Sequence, residues 1–235
     1  MNSNDRFTYR YELKYSCPFE TMTVLENRIR SVMDKDSHAD ANGEYLIRSV
    51  YFDDWKRSCY YDNENGVDPR AKFRIRTYNY SDDYISLEKK IKNKGMTRKE
   101  SCVITKQQCM QMLNSEDISS LYGQSPVLDE WCLKHETEVL RPVMLGEYVR
   151  KPYIYSAGNV RITFDYNISA SPEITSLFKK DISKISLQPT RYCILEVKYD
   201  GFLPDIIYKL LDAEHLIPTA FSKFYIGCKA LGGNI

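Results

Sequence analysis

The sequence predicts an α+β fold: one domain of about eight mostly antiparallel strands, with helices packed outside. Three observations carry that reading. Several short segments alternate charged and apolar residues, so each strand has one charged and one apolar face. Turn signals of hairpin type join neighbouring segments, as in Asn79-Tyr80-Ser81-Asp82-Asp83 and Asn93-Lys94-Gly95. Stretches of helical periodicity separate the strands, and no repeat, low-complexity tract or composition break divides residues 1–235.

Residues 7–15 alternate and read as the first strand. Pro18 opens a helix to about Met33, whose apolar stripe is Met22, Leu25, Ile29 and Val32. Residues 34–44 are polar and read as a loop. A strand follows over Tyr45–Asp53, a short turn or helix over Trp55–Tyr61, and a turn over Asn63–Asp68. Three strands then form a meander at about 70–80, 83–93 and 97–104. Thr105 is placed to cap a helix running to Leu113, and a second helix runs from about Pro126 to Glu138. Strands at about 141–155 and 158–168 flank the turn Ala157-Gly158-Asn159. Residues 170–189 are polar and irregular, and a last strand covers about 190–199. Pro204 starts a helix to about Leu211, and Phe221–Leu231 offers a final helical turn or two.

The chain carries 33 basic and 32 acidic residues, a net charge of +1. A general nucleic-acid binder is more basic than this, so any anion site must be local. No apolar stretch reaches the length of a membrane-spanning helix, and the N-terminal residues lack the apolar core of a secretory signal. The odd number of cysteines, with no C-x-x-C pair, reads as free thiols in a reducing cytoplasm. His38, His135 and His215 lie far apart and form no metal motif.

The charged faces are the most informative feature. Lys72, Arg74 and Arg76 share one face of a strand, and the spacing recurs in Arg10, Glu12 and Lys14. It recurs again in Glu88, Lys90 and Lys92, in Arg161, Thr163 and Asp165, and in Glu196 and Lys198. The opposite faces carry Phe73 and Ile75, Leu87 and Ile91, Ile162 and Phe164, and Leu195 and Val197. Two arrangements satisfy this pattern. In a sandwich the apolar faces meet and the charges face water. In a barrel the charges face inward and helices cover the apolar outside. Like charge concentrated inside a barrel costs several kcal/mol per ion unless a counter-charge is supplied. A bound polyphosphate would supply it.

The ordered segments R-Y-E-L-K-Y (10–15), V-Y-F-D (50–53), K-F-R-I-R (72–76), L-E-K-K (87–90), Y-V-R (148–150), V-R-I-T-F-D (160–165), L-E-V-K-Y (195–199) and F-S-K-F (221–224) carry a resemblance. Together they resemble the VTC polyphosphate polymerase domain of the triphosphate tunnel, or CYTH-like, superfamily. The resemblance implies an eight-stranded antiparallel β-barrel tunnel with helices outside, holding ATP, triphosphate or polyphosphate with Mn²⁺ or Mg²⁺. It implies that Lys14, Arg74, Arg76, Lys90, Arg150, Arg161, Lys198 and Lys223 act on the phosphates. Arg10, Lys72, Lys92, Lys99 and Ser222 would add phosphate contacts. Glu196 would hold the metal, and Glu12 would share it or act, like Glu88, as an ion-pair partner that orients the bases. Asp165 stands on the Arg161 face with its role open, Tyr148 shares a face with Arg150, and Asp53 lies near a strand end.

One departure separates subgroups. Tripolyphosphatase members begin E-x-E-x-K, whereas this chain reads Arg10-Tyr11-Glu12-Leu13-Lys14. Arg10 removes a possible metal ligand and adds a phosphate partner, which favours a polymerase over a hydrolase. Phosphoryl transfer needs positioning and charge neutralisation more than a protein nucleophile. The expected activity is transfer of the terminal phosphate of ATP to a polyphosphate chain. The alternatives are a metal-dependent triphosphatase and a non-catalytic polyphosphate-binding module. VTC-type polymerases work beside membrane-spanning segments, so a separately encoded membrane partner is an expectation too, around a protein otherwise cytoplasmic.

Overall fold

The computed structural model describes residues 9–212 and 216–232. Phe7 and Thr8 of the first expected strand, and His215, lie outside them. The chain opens with β1 (Tyr11–Pro18) and α1 (Phe19–Ile29), then β2 (Asp34–Lys35), β3 (Tyr45–Asp53) and α2 (Ser58–Glu64). The meander follows as β4 (Arg70–Tyr78), β5 (Ile85–Asn93) and β6 (Met96–Ile104). Next come α3 (Lys106–Asn114), α4 (Pro126–Glu138), β7 (Arg141–Tyr155), β8 (Val160–Ser171), β9 (Ile185–Ser186) and β10 (Tyr192–Tyr199). The chain closes with α5 (Asp205–Leu210), β11 (Ile217–Pro218) and α6 (Lys223–Ala230).

Local chemistry explains the element ends. Thr105 and Gln108 form a reciprocal capping box at the start of α3. Ser125 caps α4 through the Leu128 amide, with Pro126 at the first helical position. Ser222 caps α6 through the Tyr225 amide. The helix expected from Pro18 to Met33 is shorter: Pro18 is its N-cap and α1 leaves helical form after Ile29. The loop expected over 34–44 contains β2, which extends the β3 side of β7 at Tyr153 and Ile154.

All the pairings are antiparallel, and the long strands follow the order β1-β10-β8-β7-β3-β4-β5-β6. The sheet curls so that β6 and β1 approach. Among the described residues it does not close into the full barrel expected: the two edges meet at one bridge, where Arg10 and Thr97 exchange backbone bonds of 2.8 and 2.9 Å. Closure by a ladder needs the register to stagger consistently around the whole ring. Instead β11 pairs with β1 at Tyr15 and Ser16 and occupies part of that edge.

The apolar faces do not meet each other, so the sandwich is excluded. Helices cover them in two separate clusters. Phe73, Ile75 and Leu87 pack with Trp131 of α4 and Met112 of α3, and Trp131 meets Phe52 edge-on at 5.4 Å. Ile162, Phe164, Leu195 and Val197 pack under Leu25 and Ile29 of α1 and Ile207 of α5. Burying each such side chain contributes about 1.5–3 kcal/mol. A third cluster lies on the concave side, where Phe224 of α6 packs with Tyr51, Met144 and Ile168. Among the described residues no helix is long and apolar enough to cross a membrane.

Candidate functional site

With the apolar faces turned to the helices, the charged faces turn inward. They enclose a cavity of about 630 Å³. Among the described residues, fourteen Lys and Arg and three carboxylates (Glu12, Glu196 and Asp200) line it. Strand register stacks the charges in rows. Glu12 stands opposite Lys198, and Lys14 opposite Glu196. Across the next seam Glu196 faces Thr163, and Lys198 faces Arg161. On the other wall Arg74 faces Glu88, Lys72 faces Lys90, and Lys90 faces Lys99.

Three groups of contacts follow. Glu12 and Glu196 sit among lysines: Lys90 approaches Glu12 at 2.7 Å, Lys14 approaches Glu12 at 3.0 Å, and Lys198 approaches Glu196 at 2.6 Å. Glu88 and Asp165 lie behind the lining as acceptors for arginines. Glu88 takes Arg74 at 2.6 Å, Lys99 at 3.1 Å and Arg76 at 3.6 Å. Asp165 takes Arg150 through two bonds of 2.7 Å and Lys223 at 2.6 Å. Tyr148 joins these sets, accepting from Arg76 at 3.2 Å with Lys223 4.4 Å above its ring. The third group is a rim. Arg10 pairs with Asp200 at 2.7 Å and donates to the Asn159 carbonyl, and Lys92 stands opposite Thr97 and Arg70.

Electrostatics divide the wall. Burial opposes the charged forms of Glu12, Glu88 and Glu196, but the surrounding lysines and arginines outweigh it and hold all three well below the usual carboxylate range. Lys72 has the reverse balance. Burial, then repulsion from Lys90, Lys14 and Arg74, pushes it down to about 7. Its ammonium donates to Ser222 Oγ at 3.3 Å and lies 5.3 Å from the Phe224 ring. Lys90 is pushed to about 7 as well: burial and repulsion from Lys14 and Lys198 outweigh its pairing with Glu12, which it shares with both.

The donor set for a divalent cation is narrow. Among the described residues no cluster of three or more His, Cys, Asp or Glu forms a cation site. Glu196 Oε1 is nevertheless buried without a hydrogen-bond partner; Lys198 comes within 2.6 Å of it, off the hydrogen-bond direction. Such a carboxylate oxygen, held by ion pairing and without a hydrogen bond, with Glu12 on the adjacent strand, fits a cation that takes its remaining ligands from phosphate oxygens.

The fifteen residues assigned in the sequence to phosphate or metal all line this one cavity, although they come from seven strands and the start of α6. The structure adds Asp36 and Asp200, which pair with Arg161 and Arg10 from loops. No periodicity marks either aspartate, since loop residues reach the site only through the fold. Asp53 faces away from it: its carboxylate accepts the amides of Asp54, Cys59 and Tyr60 and anchors the start of α2.

The curled antiparallel sheet, with charge inside and helices outside, defines a tunnel-type α+β protein. The chain belongs to the VTC domain family, whose model matches residues 9–232. Comparison with curated proteins gave no match. Among solved structures, a protein from Hippeastrum described as a candidate adenylyl cyclase with a dominant triphosphatase activity superposes with a TM-score of 0.53 at 14% identity, over 95% of this chain and 96% of that one. The PH1819 protein of Pyrococcus horikoshii gives 0.47 at 12% identity, over 94% and 99%. A candidate adenylate cyclase of Bacillus halodurans gives 0.46 at 12%, over 87% of each chain. The Hippeastrum likeness speaks for the fold alone.

Proposed function

We propose that the tunnel holds a triphosphate or polyphosphate and transfers the terminal phosphate of ATP to the end of a polyphosphate chain. The observation that carries the anion reading is Lys72: it is enclosed in the wall among other cations, with no carboxylate in ion-pair range among the described residues. A polyanion is the ligand whose charge the wall lacks.

The residues divide the work. Arg74, Arg76, Arg150 and Arg161 present planar donors to phosphate oxygens, each braced from behind by a carboxylate: Glu88, Asp165 or Asp36. Lys14, Lys72, Lys90, Lys198 and Lys223 supply point charges that accept a sliding chain. Glu196 and Glu12 would hold Mn²⁺ or Mg²⁺, which supplies charge neutralisation on phosphate oxygens when bound. The dense fixed charge orients donor and acceptor phosphates in line and stabilises charge as it develops between them. Arg10, in place of a first carboxylate, supports chain extension over hydrolysis.

The test is incubation of purified protein with ATP and Mn²⁺, with products separated by size. Long phosphate chains are expected. Orthophosphate alone would assign the fold to a triphosphatase here, and tight polyphosphate binding without turnover would make it a binding module.

A further inference from the structure

One contact at the tunnel edge is made by a residue not read from the sequence. Asp36 lies just past β2, where its amide donates to the Pro152 carbonyl at 3.4 Å. Its Oδ1 accepts from the His38 amide at 3.0 Å and lies 2.9 Å from His38 Nδ1, and its carbonyl accepts from the Ala39 amide at 3.0 Å. That turn fixes the carboxylate and leaves Oδ2 pointing away from the turn. Oδ2 accepts from Arg161 Nη2 at 2.6 Å, and the same nitrogen lies 2.8 Å from Tyr45 Oη. Asp36 is buried, and the contact ties the segment beyond β2 to β8, two strands that both pair with β7.

The consequence lies on the other edge of the guanidinium. Arg161 lines the cavity, and its Nε is buried without a hydrogen-bond partner. A buried charged N–H is costly to leave unpaired. Gripped at Nη2, the Arg161 guanidinium has a fixed orientation in the wall, with 34% of the side chain exposed where it lines the cavity.

We propose that Asp36 is a positioning residue: it holds the Arg161 guanidinium so that its exposed part meets a phosphate oxygen of the chain. This rests on the polyanion reading above. The sign of its effect distinguishes it from simple charge. Asp36 is an anion beside an anion site, so Coulomb repulsion alone predicts that Asp36→Asn tightens binding. Positioning predicts the opposite, because an unheld Arg161 must lose rotamer freedom on binding.

The experiment is calorimetric titration of the protein with tripolyphosphate at fixed salt, with melting temperatures recorded in parallel. Asparagine keeps the turn-forming oxygen, so Asp36→Asn preserves the loop. Its Kd should rise by about fivefold, the scale of one side chain's ordering cost. In an Arg161→Gln background, Asp36→Asn should have no further effect. Tyr45→Phe, which loosens the same nitrogen, should weaken binding in the same direction. An unchanged or lower Kd for Asp36→Asn overturns positioning. Equal weakening with and without Arg161 assigns Asp36 to the loop's structure and overturns it too. If the wild type itself does not bind tripolyphosphate, the polyanion reading fails first and takes this one with it.

Discussion

Lys72 concentrates the electrostatic conflict of the empty tunnel. Burial and three neighbouring cations push its ammonium down to about 7, and Ser222 gives it one neutral acceptor. Lys72→Met keeps the length of the side chain and removes the charge. The ligand-free variant should melt at least about 2–4 °C higher, the shift that 1 kcal/mol produces in a protein of this size. Its tripolyphosphate affinity should fall about tenfold or more, the scale of one charge-assisted hydrogen bond. Opposite movement of these two numbers is the signature; a variant that loses stability and keeps affinity would make Lys72 a structural residue. Glu196 carries the complementary prediction. Glu196→Gln keeps the shape and removes the charge proposed to hold the cation. Turnover should fall by orders of magnitude and Mn²⁺ affinity with it, while metal-free polyphosphate affinity should hold or rise. Turnover equal to wild type at the same Mn²⁺ concentration would make Glu196 a partner of Lys198 only. Residues such as Arg74 and Lys198 were legible in the sequence because strand alternation fixes the face of a side chain wherever it lies along the strand. Asp36 was not, because a loop has no period and its contact with Arg161 depends on how β2 is laid beside β7.

At the scale of elements, the β7–β8 turn shows what positions the rim. Gly158 has φ +69°, the left-handed region that glycine enters without cost. A Cβ there would stand 2.7 Å from the Phe202 carbonyl oxygen, and the Gly158 carbonyl accepts the Asp200 amide at 2.9 Å. The turn therefore seats Asn159 and Asp200, the two groups that hold Arg10. Gly158→Ala meets backbone rather than a flexible side chain, so relief requires the turn to move. It should lower stability by about 1–3 kcal/mol, as overpacking does, and weaken tripolyphosphate binding through the displaced rim. Thermal melts and the same titration check both; a stable variant with native affinity would show that the rim tolerates the shift. This turn was readable as Ala-Gly-Asn, and β3, α4 and β7 coincide with the spans read from periodicity and caps. The two-residue strands β2, β9 and β11 were not readable, since two residues carry no alternation. Nor was the bridge between Arg10 and Thr97, which depends on accumulated stagger around the sheet and not on any one strand's pattern.

At the scale of the whole molecule, a net charge of +1 conceals a strongly cationic interior, and pH exposes the difference. Lys72 and Lys90 have folded values of about 7, below the ordinary lysine value of 10.5 that applies to the unfolded chain. Between those values the unfolded state binds more protons, so the stability of the ligand-free protein rises with pH across the window from 7 toward 10.5. A bound polyanion acts the other way. Its charge favours the ammonium forms, so binding at pH 8 draws protons onto the protein. A cationic wall favours the deprotonated form of the ligand's own phosphates, so net uptake on binding can come only from the protein. Two results should therefore appear together. Millimolar tripolyphosphate should raise the melting temperature strongly at pH 7, by mass action on the folded state, and by less at pH 9, where deprotonated lysines attract it less. Titrations at pH 8 in buffers of different ionisation enthalpy should show net proton uptake on binding. A melting shift that grows with pH would mean that the lysines are already charged in the empty tunnel, paired through Glu12 and Glu196, and that the wall holds its charge without waiting for a ligand.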